Sequence, residues 1–432
     1  MIRIRLLVLV FALALVAAAC GDGDSEETIA TTQAPATTAT TAAQTTTTAA
    51  QTTTTAAQTT TTEAPVVGLA PGNYQFGFTA VTSGPVAFAG VPHVQGLQLA
   101  EREINESGFL GDGVTIEFLV EDAGGDQAAA IAINDAYIAN DDVLALVCCA
   151  LSSVAGAIQP NIVEAGLAWV DHAAIAPTIT DPDNAFRSFP LSQPSTAAIA
   201  EAAVAAFAPE NAAVVVTADN DGLVSDRDAT LGVLDSSGIE VLGVIDTFAD
   251  DTDMSGAATE VISLGPDVIF LAQLGNTEVL MVQELRDRGY AGPIIGNLAI
   301  ATAETWEQAG DTLLGTALPI AFFAGKDVPL VQDFATKYEA EYDTMPDIFA
   351  AQGWQVAWFM AEALKNGGEG TREAVLEGVR QIQTMETVFG TLTWDARGEA
   401  TIDAWTFVQW SPDGELVIWD GSADGLLPNI NQ

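Results

Sequence analysis

Ser152 stands where an apolar run, residues 143–148, gives way to a helical stretch, residues 152–165. A hydroxyl there, with the free N–H groups of the helix's first turn around Ser153, faces the carboxyl edge of the sheet and suits an anion. In an open α/β sheet that edge is where ligands sit. The competing reading makes Ser152 a simple N-cap. Asp221, ahead of the helix that opens at Gly222, brings a carboxylate to an equivalent edge or caps its own helix. Asp171-His172, with Ser152, raises the question of a hydrolase. No Gly-x-Ser-x-Gly elbow is present, and adjacent side chains on a strand point to opposite faces. His93 and His172 are the only histidines and show no zinc-ligand spacing with Cys. No Gly-rich phosphate loop occurs. No catalytic residue, metal or cofactor is therefore expected. Cys148 and Cys149 are adjacent at a strand end. A bond between neighbours is sterically strained, so the expectation is two small buried thiols.

The elements that must position these residues alternate along the chain. Strands are expected at 74–81, 114–121, 143–148, 167–171, 212–217, 241–248, 268–272 and 293–296. Helices are expected at 86–107, 127–140, 152–165, 195–207, 222–236, 255–264 and 277–288. This rhythm implies an α/β fold with parallel sheets covered by helices. About 360 folded residues exceed one comfortable core, so two lobes are expected.

The 432 residues carry 13 basic and 58 acidic side chains, a net charge of −45. A nucleic-acid or anionic-membrane surface partner is disfavoured, because phosphate binding requires a basic face. Arg3 and Arg5 precede an apolar run, residues 6–19, and small residues lead into Cys20. This is an export signal, shorter than the roughly 20 residues that span a bilayer. Its end resembles the lipobox of bacterial lipoproteins, which implies removal of residues 1–20 with lipidation of Cys20, an anchor in the bacterial cell membrane and an extracytoplasmic domain. Ala17 replaces the usual Leu. Residues 21–72 read as a disordered tether, in which Ala-Ala-Gln-Thr-Thr-Thr-Thr recurs from Ala42, Ala49 and Ala56. With only Ala and Thr available for the seam positions, the seven-residue period makes no coiled coil.

From Asn73 onward the chain resembles the type I periplasmic solute-binding proteins of ABC transporters, in their branched-chain amino-acid (Leu/Ile/Val) group. The resemblance is carried by Thr82-Ser83-Gly84-Pro85-Val86-Ala87, Ala100-Glu101-Arg102-Glu103-Ile104-Asn105, Val120-Glu121-Asp122 and Ser152-Ser153. Further on it is carried by Ala174-Ile175-Ala176-Pro177, Phe349-Ala350-Ala351-Gln352-Gly353-Trp354, Phe389-Gly390 and Trp394-Asp395-Ala396-Arg397-Gly398. It implies two Rossmann-like lobes joined by three crossings, near 188–193, 319–325 and 390–401. Lobe 1 would hold 73–191 and 325–398, and lobe 2 would hold 192–324 and 399–432. Ligand would bind between them and favour a closed hinge.

The family pattern places the ligand carboxylate on Ser152 and on the loop that contains Ala173, Ala174 and Ile175. The ammonium and apolar body fall near Phe88, Ala89, Leu274, Asn297 and Leu298. Four departures stand out: Ile175 where Thr is expected, Asn297 where an acid is expected, Gln273-Leu274-Gly275 where an aromatic is expected, and Phe88-Ala89 where another is expected after Pro85. The cleft is thus more apolar than an ordinary amino acid requires. A monomeric receptor for an amino-acid-like, carboxylate or amide solute, working with an ABC permease, is the leading expectation. The alternative is a ligand sensor of the cell envelope on the same fold.

Overall fold

The computed structural model describes residues 68–402 and 405–428. The export signal, Cys20 and nearly all of the tether lie outside the described residues. Among the described residues no helix is long and apolar enough to cross a membrane.

The first part of the chain runs β1 (Gly72–Ala80), α1 (Ala87–Ser107), β2 (Val114–Asp122), α2 (Gln127–Ala139), β3 (Val143–Val147), α3 (Ser152–Ala165), β4 (Ala168–Asp171) and β5 (Ala185–Arg187). Its five strands form one parallel sheet in the order β2-β1-β3-β4-β5. Both faces of the central strands are covered, so β3 reads Val-Leu-Ala-Leu-Val without polar alternation and is buried throughout.

The second part runs α4 (Gln193–Phe207), β6 (Asn211–Thr217), α5 (Asp221–Ser237), β7 (Glu240–Thr247), α6 (Ser255–Leu264), β8 (Val268–Ala272), α7 (Gly275–Asp287), β9 (Ile294–Ile295), α8 (Ala303–Ala309) and β10 (Thr316–Ile320). After it come α9 (Pro329–Tyr342), α10 (Ile348–Gly367), α11 (Arg372–Gln381), β11 (Thr384–Thr387), β12 (Gly390–Trp394), β13 (Ala400–Ile402), β14 (Thr406–Trp410) and β15 (Leu416–Ile418). A seven-stranded sheet is ordered β15-β14-β10-β9-β8-β6-β7, in which β14 alone runs against the others, antiparallel to both β10 and β15. The strands β11-β12-β13 make a small antiparallel sheet.

α9 to α11 return to the first sheet: α10 lies along α1, and α11 contacts β3 and β4. β13 pairs with β12, so residues 400–402 run with this small sheet. The chain goes on to β14 of the seven-stranded sheet after this pairing, beyond residue 402.

Cys148 and Cys149 depart from expectation. They form a vicinal disulfide and are almost wholly buried. The peptide bond between them is cis, and their Cα atoms lie 3.2 Å apart. The two buried sulfurs are bonded to each other rather than free, against the expectation of two thiols.

Candidate functional site

In each large sheet the strand order reverses next to the first strand of its segment, between β1 and β3 and between β6 and β8. Those reversals open crevices at the carboxyl ends of the strands. A cavity with about 760 Å³ of free space lies where the two crevices meet. From the first sheet it is lined by Phe88 and Ala89 after β1, Ser152 after β3, and Ala173 and Ile175 after β4. From the second it is lined by Asn220 after β6, Gln273 and Leu274 after β8, and Asn297 and Leu298 after β9.

Eight residues singled out from the sequence therefore line one cavity: Phe88, Ala89, Ser152, Ala173, Ile175, Leu274, Asn297 and Leu298. Three do not. Ser153 is half-buried and does not line it. Ala174 is buried in the loop core, where its N–H donates to Asp171 Oδ1. Asp221 is exposed in the first turn of α5, and the cap of that helix is Asn220, whose Oδ1 accepts from the N–H groups of Gly222 and Leu223.

Ser152 is the first residue of α3 rather than its N-cap, which is Leu151 and supplies no side-chain cap. Its Oγ accepts from Ile175 N at 3.2 Å and Ala176 N at 3.1 Å. With its lone pairs engaged, the hydroxyl has only its proton left to give. That donor, on a helix start whose N–H groups have no side-chain cap, suits a carboxylate.

The loop that bonds Ser152 is held from below. Arg187, fully buried, pairs with Asp171 Oδ2 at 2.5 Å and Glu399 Oε1 at 2.6 Å, and donates to the carbonyls of Ala174 and Ala176. Asp171 Oδ1 accepts from Cys149 N and Ala174 N, both at 3.1 Å. Burial pushes the carboxyls of Asp171 and Glu399 up, and Arg187 pulls them back. Asp171 is thus committed to Arg187. His172 instead packs on the rings of Phe78 and His93, and among the described residues neither of its ring nitrogens has a hydrogen-bond partner. Burial holds His172 well below the usual imidazole range, and holds His93 at about 4 against the hydrogen bond that His93 makes with Gln352. Among the described residues no hydrogen bond joins Ser152, Asp171 and His172 into a relay.

Sequence reasoning missed Asp226. It lines the cavity from α5 and is 2% exposed. Its Oδ1 accepts from Ser192 Oγ at 2.7 Å and Gln193 Nε2 at 3.0 Å, and burial raises its carboxyl to about 7. The signal was present: Leu223, Asp226, Thr230 and Val233 fall on one buried face of α5, and an acid on such a face needs an explanation. Glu278 of α7 is buried behind Asn297, and its Oε1 accepts the Asn297 N–H at 2.8 Å. Burial pushes Glu278 well above the carboxylate range, and nearby Asp226 adds to the shift. The acid expected at position 297 is thus not lost from the region. It lies one layer back, fixing the Asn297 backbone.

The two sheets also meet tightly at the cavity. A Cβ on Gly222 of α5 would fall 2.6 Å from Ser152 Oγ and closer still to Ile175 Cγ1. A Cβ on Gly275 would fall 2.8 Å from the Phe88 ring and 2.9 Å from the Ala299 carbonyl.

The family model for periplasmic binding proteins matches residues 73–415. The chain belongs to that family. It is 25% identical over 367 residues to Leu/Ile/Val-binding protein homolog 3 of Brucella melitensis, covering 82% of this chain and 96% of that one. It is 27% identical over 360 residues to the Leu/Ile/Val-binding protein BraC3 of Rhizobium johnstonii, covering 81% and 94%. Among solved structures, a leucine-binding protein of Thermotoga maritima superposes with a TM-score of 0.74 at 20% identity, covering 80% of this chain and 97% of that one. A solute-binding protein of R. palustris in complex with benzoate gives 0.73 at 21% identity, covering 84% and 98%. These likenesses show that the chain shares the fold of those solute-binding proteins.

Proposed function

We propose that this periplasmic binding protein captures an apolar, amino-acid-like solute in its cleft and hands it to an ABC permease, held at the cell membrane through a lipid on Cys20. The carboxylate of the solute would take the Ser152 hydroxyl proton and the free N–H groups at the start of α3. The amino group would face Asp226, and the apolar body would lie among Phe88, Ile175 and Leu298.

Asp226 carries this reading. It is the only charged side chain lining the cavity among the described residues. An ionised carboxylate buried without a counter-charge is costly, and an ammonium ligand supplies that charge. A simple aromatic carboxylate would instead bring a second negative charge beside it.

One observation favours a second cargo class. Asp226 already accepts from Ser192 and Gln193, so a neutral amide donor would also suit it. A thermal-shift screen of the folded domain separates the two, because a ligand that binds only the folded state raises the melting temperature. Leucine, isoleucine and valine should raise it, and neither benzoate nor isovaleramide should match them. A shift with isovaleramide alone would favour the amide reading, and a shift with benzoate alone would reject both.

A further inference from the structure

On the outer side of the first sheet, α1, α9, α10 and β11 enclose an open hollow of about 1120 Å³, which shares no lining residue with the cleft. Its walls combine aromatic faces with acids. Trp354 and Trp358 of α10 have ring centroids 5.7 Å apart, and Glu103, Glu106, Asp333 and Glu386 supply carboxylates. Lys337 is engaged, with its Nζ 2.6 Å from Asp333 Oδ2 and 3.3 Å from Glu103 Oε1. Glu103 Oε2 accepts the Trp354 indole N–H at 3.0 Å. Among the described residues no ion pair involves Glu106 or Glu386.

A second feature points to a ligand rather than to a merely acidic surface. Gln355, 1% exposed, lines the hollow and gives its Nε2 to Met385 Sδ at 3.6 Å, while its Oε1 has no partner. A buried amide oxygen without a donor costs free energy that an incoming N–H would recover. Indole faces attract cations, and the surrounding carboxylates reinforce that field.

We propose that this hollow binds an alkylammonium group, which would lie against Trp354 and Trp358 and donate N–H to Gln355 Oε1 and to the carboxylates of Glu106 and Glu386. The group belongs either to a free small amine or to a lysine side chain of a partner protein. The site is separate from the cleft and does not depend on what the cleft carries.

Calorimetry and tryptophan fluorescence of the purified protein at physiological ionic strength test it with three probes: n-butylammonium, N-acetyl-lysine methylamide and tetramethylammonium. The first two should bind saturably, and tetramethylammonium, which has no N–H, at least tenfold more weakly. The double variant Glu106→Gln/Glu386→Gln, altered only at exposed positions, should weaken butylammonium at least tenfold, as should Gln355→Leu. Asp226→Asn in the cleft should leave it unchanged. Tighter binding of the lysine probe assigns the site to a protein partner, and tighter binding of butylammonium assigns it to a free amine. Failure of both N–H probes to saturate, equal affinity in the double variant, or loss in Asp226→Asn would overturn the proposal.

Discussion

Gly222 of α5 approaches Ser152 of α3 so closely that no side chain fits between them, since its Cβ would lie 2.6 Å from the serine hydroxyl. The contact joins a helix that follows β3 of the first sheet to one that follows β6 of the second, across the cavity, where closure of the proposed cleft would bring them together. Gly222→Val should therefore fold normally but prop the cleft open. Ligand affinity should drop by at least tenfold, with a melting temperature in the absence of ligand close to that of the parent. Small-angle scattering should show no compaction on addition of ligand. Unchanged affinity and compaction would mean that the two elements do not gate the site.

Ser152→Ala removes the hydroxyl proton that the proposed reading gives to the ligand carboxylate and also frees the N–H groups of Ile175 and Ala176 from their acceptor. The loss of affinity for a carboxylate ligand should be about 1–3 kcal/mol, the usual cost of leaving a buried polar partner unpaired. Calorimetry measures it directly. Ser152→Thr keeps a hydroxyl and should recover part of the loss. If alanine binds as tightly as serine, the carboxylate lies elsewhere.

The sequence and the structure agree where local pattern decides the outcome, and part where long-range contacts decide it. Strand-helix alternation located β1 to β4 and β6 to β9 to within a few residues, because continuous apolar runs such as Val143–Val147 have only the interior of a parallel sheet to occupy. The three-residue β5 and the Pro-containing β10 went unread. Their pairing comes from β4 on one side and β9 and β14 on the other, not from their own residues. Sheet order likewise explains the site: Phe88, Ser152, Ile175, Leu274 and Asn297 all follow strand ends, which is legible from spacing. Asp226 lies five residues beyond Asp221, inside a helix, so a search confined to strand ends passed over it. The roles of Asp171 and Arg187 were also hidden, because 16 residues separate the partners and only the pairing of β4 with β5 sets them side by side.

The carboxyl of Asp226 is raised to about 7, mainly by burial, with hydrogen bonds from Ser192 and Gln193 opposing the shift. An acid raised in the folded state contributes stability that is fully present below its unfolded value of 3.8 and is lost as pH rises through about 7. The ligand-free protein should therefore lose stability across that window, and Asp226→Asn should flatten the loss in urea titrations. Binding should show the opposite trend. An ammonium ligand needs the ionised carboxylate, so affinity should rise from pH 5 to pH 8 in the parent and stay level in Asp226→Asn. A parent affinity independent of pH would remove Asp226 from ammonium recognition.

Arg187 holds two carboxylates and two carbonyls with one fully buried guanidinium. Removing it leaves Asp171 and Glu399 facing each other without a cation, in a region where charge is poorly solvated. Breaking a buried pair from one side typically costs about 3–5 kcal/mol. Arg187→Met should show a loss of that order in urea unfolding near neutral pH. Part of it should return at low pH, where the two acids protonate. Lysine should rescue little, because its single ammonium cannot reproduce the fork that reaches Asp171, Glu399 and the Ala174 and Ala176 carbonyls together. The loop that bonds Ser152 should loosen as well, so ligand affinity in the folded variant should fall even though Arg187 touches no ligand. A variant as stable as the parent, with equal affinity, would show that the loop is held by its backbone alone.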